Sequence, residues 1–287
     1  MNPKYPIYIP SKGRWMSRLT VKTLTAKKVP FRVVVEPSEY DDYAAVIDRS
    51  KLLRLDENLS ERGQGSIPVR NWIWDHAVSE GHKRHWLIDD NISQFYRLNR
   101  NTAIPVGSGT IFRCVEDFTD RYGNVAFSGM NHLGFARARR KSSAALAPFR
   151  FNARVYSMTL INSAVPYRWR GRYNEDTDII LRALKEGWAT ILFNAFLGDK
   201  AETMKMKGGN TDTIYNTGDN RRAFAESLAA QHPDVVRVTW KFNRWHHEVD
   251  YSPFKDNDPR LRDDFVMPAG VNDYGMRLVR TGGSDAR

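Results

Sequence analysis

Asp89, Asp90 and Asn91 follow directly on the apolar run Trp86-Leu87-Ile88. In an open α/β sheet the ligand crevice borders the carboxyl ends of the strands. Two carboxylates and an amide at such a place offer hard oxygens to Mg²⁺ or Mn²⁺. The plain alternative is an ordinary turn, which Asp and Asn also favour. A second acidic group, Asn174-Glu175-Asp176-Thr177-Asp178, opens the segment IILRALKEG. One of its carboxylates could take a proton from a hydroxyl as a general base, or all could simply suit the positive end of a helix. Glu36 ends the run VVVE, where an acid can accept hydrogen bonds from a nucleoside base or ribose. Arg70, in GSIPVRN, opens a predicted helix where a guanidinium and free backbone N–H groups can meet a phosphate. Pro10-Ser11-Lys12-Gly13-Arg14 is a comparable loop. Neither has the GxxxxGK[ST] pattern of a phosphate-binding P-loop. His246 and His247, in RWHHEVD, could complete a metal site or touch a diphosphate, or be structural. Lys207-Gly208-Gly209-Asn210-Thr211 reads as a loop able to close over a substrate, or as a plain connection.

The charge is uneven. The chain of 287 residues carries 44 Lys and Arg against 33 Asp and Glu, a net +11. From Arg121 to Asn174 there is no acid, yet ten basic side chains: Arg121, Arg137, Arg139, Arg140, Lys141, Arg150, Arg154, Arg168, Arg170 and Arg172. Aromatic residues, Tyr167 and Trp169 among them, are threaded through it. Arginine beside aromatic is the composition that grips a phosphate backbone while stacking on a base. A solvated basic face over core aromatics is the competing reading.

These groups need elements to position them. Strands are expected at Pro6–Ile9, Phe31–Val35, Lys51–Leu55 and His85–Ile88, and helices at Leu19–Lys28, Glu39–Arg49 and Ile67–Val78. That alternation over the first ~90 residues argues for a parallel sheet. Further on, helices are expected at Thr110–Tyr122, Thr177–Glu186 (stopped by Gly187) and Arg221–Gln231. Strands are expected at Asn124–Ser128, Tyr156–Asn162, Thr190–Asn194 and Val235–Phe242. No linker-like composition divides the chain, so residues 1–267 read as one domain, with a donor half over about 1–100 and an acceptor half over about 101–267. The tail, 268–287, is poor in apolar residues and reads as a loose arm.

Composition excludes other classes. No apolar run approaches the ~20 residues of a membrane span. The N-terminus lacks the layout of a secretory signal, and the single cysteine, Cys114, rules out an intrachain disulfide or a cysteine zinc site. A reducing, cytoplasmic setting is expected, with an anionic partner.

Taken in order, the motifs IPSKGR, VVVEPSEY, PVRNWIWDHA with WLIDDN, and NEDTDIILRALKEGW resemble the GT-A glycosyltransferases. IPSKGR with WLIDDNI more closely resembles the TET-associated glycosyltransferases of bacteriophages. The resemblance implies a GT-A, Rossmann-like fold: a mixed, mainly parallel sheet flanked by helices in one domain. It implies a UDP-sugar donor held near Pro10, Ser11, Lys12, Arg14, Glu36, Arg70, Asp89 and Asp90, with Glu36 on the uracil. It implies a Mn²⁺ or Mg²⁺ ion on Asp90, Asn91 or Asp89, with His247 or His246 as candidate further ligands. Asp176, or its neighbour Glu175, would be the catalytic base. The acceptor would be a 5-hydroxymethylated pyrimidine in DNA, 5-hydroxymethylcytosine above all. The basic tract adds Arg137, Arg139, Arg140, Lys141, Arg168, Trp169, Arg170 and Arg172 as expected DNA contacts. A metal-dependent nuclease and a DNA-binding protein without catalysis are the rival readings of the same acids, histidines and basic face.

Overall fold

The computed structural model describes residues 1–99, 101–139, 147–201, 220–267 and 269–271. The first part of the chain alternates as expected. Strand β1 (Ile7–Pro10) leads to helix α1 (Leu19–Ala26), β2 (Arg32–Val35), the short α2 (Tyr40–Ala44), β3 (Leu52–Arg54), α3 (Ile67–Ser79) and β4 (Arg84–Ile88). Then come β5 (Ile92–Asn99), β6 (Thr102–Pro105), α4 (Thr110–Thr119), β7 (Val125–His132) and α5 (Leu133–Arg139). The rest comprises β8 (Phe149–Phe151), β9 (Met158–Asn162), α6 (Glu175–Lys185), β10 (Ala189–Lys200), α7 (Arg221–Gln231), β11 (Val236–Lys241) and β12 (Arg244–Val249).

The strands lie in the order β3-β2-β1-β4-β9-β7-β10-β5-β6, with β8 on β10. β3, β2, β1 and β4 are parallel, and β7 is parallel to β10. β9 enters antiparallel between β4 and β7, and β5 and β8 are antiparallel to β10. This is the mixed, mainly parallel sheet of one α/β domain. β11 and β12 form a separate hairpin.

Strand residues alternate between two apolar layers, as a sheet covered on both faces requires. Ile7, Ile9, Val33, Val35, Trp86 and Ile88 face α1, α2 and α4, whose Leu24, Tyr43 and Phe112 share their cluster. Tyr8, Val34 and Leu87 face α3, α6 and α7, whose Trp74, Ile180 and Leu228 share the other.

Several expectations shift. The helix expected over Glu39–Arg49 ends at Ala44, because Asp48 accepts the Ser50 N–H and starts a separate 3-10 turn at Arg49–Lys51. The strand expected at Thr190–Asn194 runs on to Lys200, held by β7 on one side and β5 on the other. The β5–β6 hairpin has no counterpart in the sequence reading. The 207–211 loop lies outside the described residues, as does the tail 268–287 apart from residues 269–271.

The centre of the sheet leaves no room at Gly129 on β7. A Cβ there would stand 2.2 Å from the Met158 carbonyl oxygen and 2.6 Å from Val155 Cγ1. Gly129→Ala is therefore expected to cost about 1–3 kcal/mol of stability, read as a lower urea midpoint with an unchanged slope.

Candidate active site

The carboxyl ends of β1, β2 and β4 open into a cavity of about 300 Å³. Its wall includes Pro10, Ser11, Lys12, Arg14, Glu36, Arg70, Asp89, Asp90, Asn91, Glu175 and Asp176. The expected donor set, the acid–acid–amide turn and the first two acids of the second group thus share one hollow.

The turn after β4 is pinned from two sides. Asp89 N–H donates to the Ser157 carbonyl at 2.8 Å. Thr20, at the start of α1, donates its hydroxyl to the Asp89 carbonyl at 2.6 Å and accepts the Ile92 N–H at 2.8 Å. Ser157 holds its side with φ 66, a left-handed backbone that a non-glycine residue adopts only when its surroundings enforce it.

Asp176 stands on the first turn of α6. Arg70 Nη1 donates to Asp176 Oδ1 at 2.9 Å, and Nη2 donates to Asp89 Oδ1 at 3.2 Å. One buried guanidinium thus ties the acid after β4 to the acid opening α6. Its Nε reaches Ser66 Oγ at 3.2 Å, and Trp169 lies beneath the group at 5.7 Å. Arg70 lines the cavity with the rest of the expected donor set, and there it spans two carboxylates.

Of the acids in the NEDTD segment, Asp176 and Glu175 line the cavity. Asp178 turns inward, where His232 Nε2 meets it at 2.9 Å and Arg170 pairs with it. Loss of hydration, and then the negative charge of Asp176, push the Glu175 carboxyl above its ordinary range. Glu175 therefore retains a proton more readily than a free carboxylate.

Cations meet the remaining acids. Lys200 Nζ donates to Asp89 Oδ2 at 2.7 Å and to Ser157 Oγ at 2.9 Å. Burial works against the charge of Asp89, but Lys200 and Arg70 outweigh it and hold the carboxyl well below the usual range. Arg14 pairs with Asp90 Oδ1, and Ser11 Oγ donates to Asp90 Oδ2 at 2.7 Å. Burial nonetheless pushes the Asp90 carboxyl up. Lys12 Nζ lies 3.2 Å from Glu36 Oε2, and Ser60 donates both its N–H and its hydroxyl to Glu36, at 2.6 and 2.7 Å.

The donor chemistry of the Asp89–Asn91 turn suits a hard divalent ion. Asn91 Oδ1 is buried with no hydrogen-bond partner, an acceptor that such an ion would satisfy. An ion here would have to exchange with Arg14 and Lys200 for the carboxylate oxygens. No group of three or more His, Cys, Asp or Glu gathers among the described residues.

Several expected contacts lie elsewhere. His246 and His247 sit on β12 and do not line the cavity; His246 accepts from Arg244 at 2.8 Å. They are not brought to the acid–acid–amide turn, because β12 pairs with β11 outside the main sheet. Trp169 does not present a face for stacking on a base. It is 4% exposed and packs edge-on against Trp74 at 5.1 Å. Arg168 bonds Asp75 and lies over Trp74, Arg170 is held by Asp178, and Arg172 lies over Tyr173. Arg137 and Arg139 are on α5, while Arg140 and Lys141 lie outside the described residues.

The cavity also contains Lys200, Ser157, Arg154 and Tyr156, none of which stood out in the sequence as site residues. A lysine at the end of a long apolar strand was the available signal for Lys200. It was obscured because the strand was expected to stop at Asn194.

A model of the TET-Associated Glycosyltransferase family matches residues 5–209. The chain belongs to this family. The protein is therefore a glycosyltransferase, and the match takes in every residue of the cavity wall. No curated protein matches the chain. Among the described residues, no helix is long and apolar enough to cross a membrane.

The bridge at Arg70 gives a direct test of the site's architecture. Arg70→Met leaves Asp176 without its guanidinium partner, while Asp89 keeps Lys200. Breaking a buried pair on one side costs about 3–5 kcal/mol. A loss near the lower end is expected by urea unfolding, with transfer activity falling alongside.

Proposed function

We propose that the protein moves a sugar from a UDP-sugar to the hydroxyl of a 5-hydroxymethylpyrimidine in DNA, with 5-hydroxymethylcytosine as the favoured acceptor. The observation that carries this reading is the convergence of Asp89, Asp90 and Asp176 on one cavity at the strand ends, joined through Arg70. The family assignment supplies the reaction class.

The donor nucleotide lies across the ends of β1 and β2, with its base towards Glu36 and Ser60. Lys12, Arg14 and Lys200 face the diphosphate. Each is already held by an acid, so each is ordered before substrate arrives. Fixed cations of this kind stabilise charge developing on a leaving group without having to reorganise. Asp90, Asn91 and Asp89 would hold a divalent ion. When bound, Mn²⁺ or Mg²⁺ supplies Lewis-acid stabilisation of the diphosphate.

Asp176 accepts the proton of the hydroxymethyl group as its oxygen attacks the anomeric carbon. The new carbon–oxygen bond forms as the bond from that carbon to the diphosphate oxygen breaks. UDP leaves with the bonding electrons. Attack from the face opposite UDP inverts the anomeric centre. A base within a duplex must leave the stack to reach the cavity, at about a few kcal/mol.

Intact-mass analysis of 5-hydroxymethylcytosine DNA incubated with a panel of UDP-sugars tests the reading; no mass gain with any donor would overturn it. Asp176→Asn should lower transfer by about 10²–10⁴-fold, the usual contribution of general base catalysis, while DNA affinity stays at the wild-type level. Chelation by EDTA should stop transfer, and Mn²⁺ or Mg²⁺ should restore it. Undiminished transfer in EDTA would remove the ion from the mechanism.

A further inference from the structure

The β11–β12 hairpin lies beyond the segment that the family model matches, and the chemistry of the cavity does not use it. Its two-residue turn is Phe242-Asn243, with φ 54 and 55, closed by the pair Lys241 and Arg244. Such turns need positive φ at both positions, which Asn and Gly accept readily. A phenylalanine there is an outlier. Phe242 is also 87% exposed, its ring meeting His246 edge-on at 6.1 Å.

The register sorts the hairpin into two faces. Val236, Val238 and Trp240 stand opposite Val249, His247 and Trp245. This face packs at its base on α7, and Arg222 of α7 lies over Trp245 at 5.0 Å. Towards the tip it opens. Trp240 is 56% exposed and meets Trp245 edge-on at 5.2 Å. The other face carries Arg237, Lys241, Arg244 and His246, with Glu248 as its acid, bonded by Arg237 and Lys241. The hairpin therefore combines an exposed aromatic tip with a basic flank.

Through α7, on which it packs, it is joined to the segment that leads into the cavity. Phe224 of α7 stacks on Tyr173 at 3.9 Å, and its carbonyl accepts from Asn174 at 2.8 Å. These two residues lead directly into Glu175 and Asp176. Arg154, on the cavity wall, is near enough for its charge to act on His247.

Resting on the DNA acceptor proposed above, we infer that the β11–β12 hairpin is the element that engages the DNA. Arg237, Lys241 and Arg244 lie along the phosphate backbone. Phe242, with Trp240 behind it, enters the base stack beside the nucleotide presented to Asp176. Apolar side chains used as wedges unstack a base step in this way, and basic groups beside aromatic ones match a polyanion with π-faces. This places the principal DNA contact on the hairpin and not on the 168–172 stretch, whose Trp169 is core.

The full chain is compared with Phe242→Ala, Trp240→Ala and Arg244→Glu. Binding is read by anisotropy of a labelled duplex carrying 5-hydroxymethylcytosine, and UDP binding by calorimetry. Each aromatic variant should weaken duplex binding by about fivefold or more, the usual effect of removing one stacked aromatic group. Arg244→Glu should weaken it as well and flatten its salt dependence. UDP affinity should not change in any of the three. A fluorescent adenine analogue next to the modified base should brighten on binding wild type and not on binding Phe242→Ala. Variants that bind the duplex as wild type does, as a hairpin serving a protein contact would, overturn the hairpin's role and leave the DNA acceptor standing. A wild type that binds no duplex overturns both.

Discussion

The candidate site depends on the Arg70 guanidinium. Two acids from distant parts of the chain sit within hydrogen-bonding reach of its planar fork. Left alone, two carboxylates facing one hollow would repel each other and draw in water. A rigid, permanently charged group between them fixes their spacing and offsets their repulsion. Trp169 and Trp74 lie on the side away from the cavity, so packing holds the guanidinium in place. Through Lys200 the same network reaches β10, and through Ser157 the start of β9. The end of β4 and the starts of α3 and α6 are thereby joined electrostatically at one point.

The rest of the cavity follows the same pattern of acid and cation held together. Glu36 holds Lys12, Asp90 holds Arg14 and Asp89 holds Lys200. Each pairing lowers the cost of keeping a charge in a poorly hydrated place. It also holds in readiness the groups that a diphosphate would attract. The backbone strain at Ser157 borders this network, and strain of this kind persists where the surroundings over-determine it.

The basic tract shows how a linear reading can misplace a surface. No acid occurs between Arg121 and Asn174, so the tract looks unneutralised. Folding brings its partners from outside: Asp75 of α3 to Arg168, and Asp178 of α6 to Arg170. Its tryptophan becomes core because α3 lies directly against it. The hairpin, by contrast, sets Arg237, Lys241 and Arg244 on one face, and its tight turn leaves Trp240 and Phe242 exposed.

The sequence by itself determined the parallel first half, the helix behind Asp176 and the two acidic turns, because each rests on local signals. These are runs of β-branched residues, helical periodicity, and acids that suit a helix start or a strand end. The motifs also carried the family, which the match over residues 5–209 shows. Tertiary structure decided what neighbours in space decide. β5 forms because β10 offers it an edge and β6 because β5 does, and β10 runs on to Lys200 because β7 and β5 hold it. Arg70 became the bridge between two acids, and the histidine pair went to a separate hairpin. Which of several acids faces a cavity, and which cation meets it, is set by contacts between residues that lie from 19 to 111 positions apart and on different elements, so that local signals along the chain do not pair them.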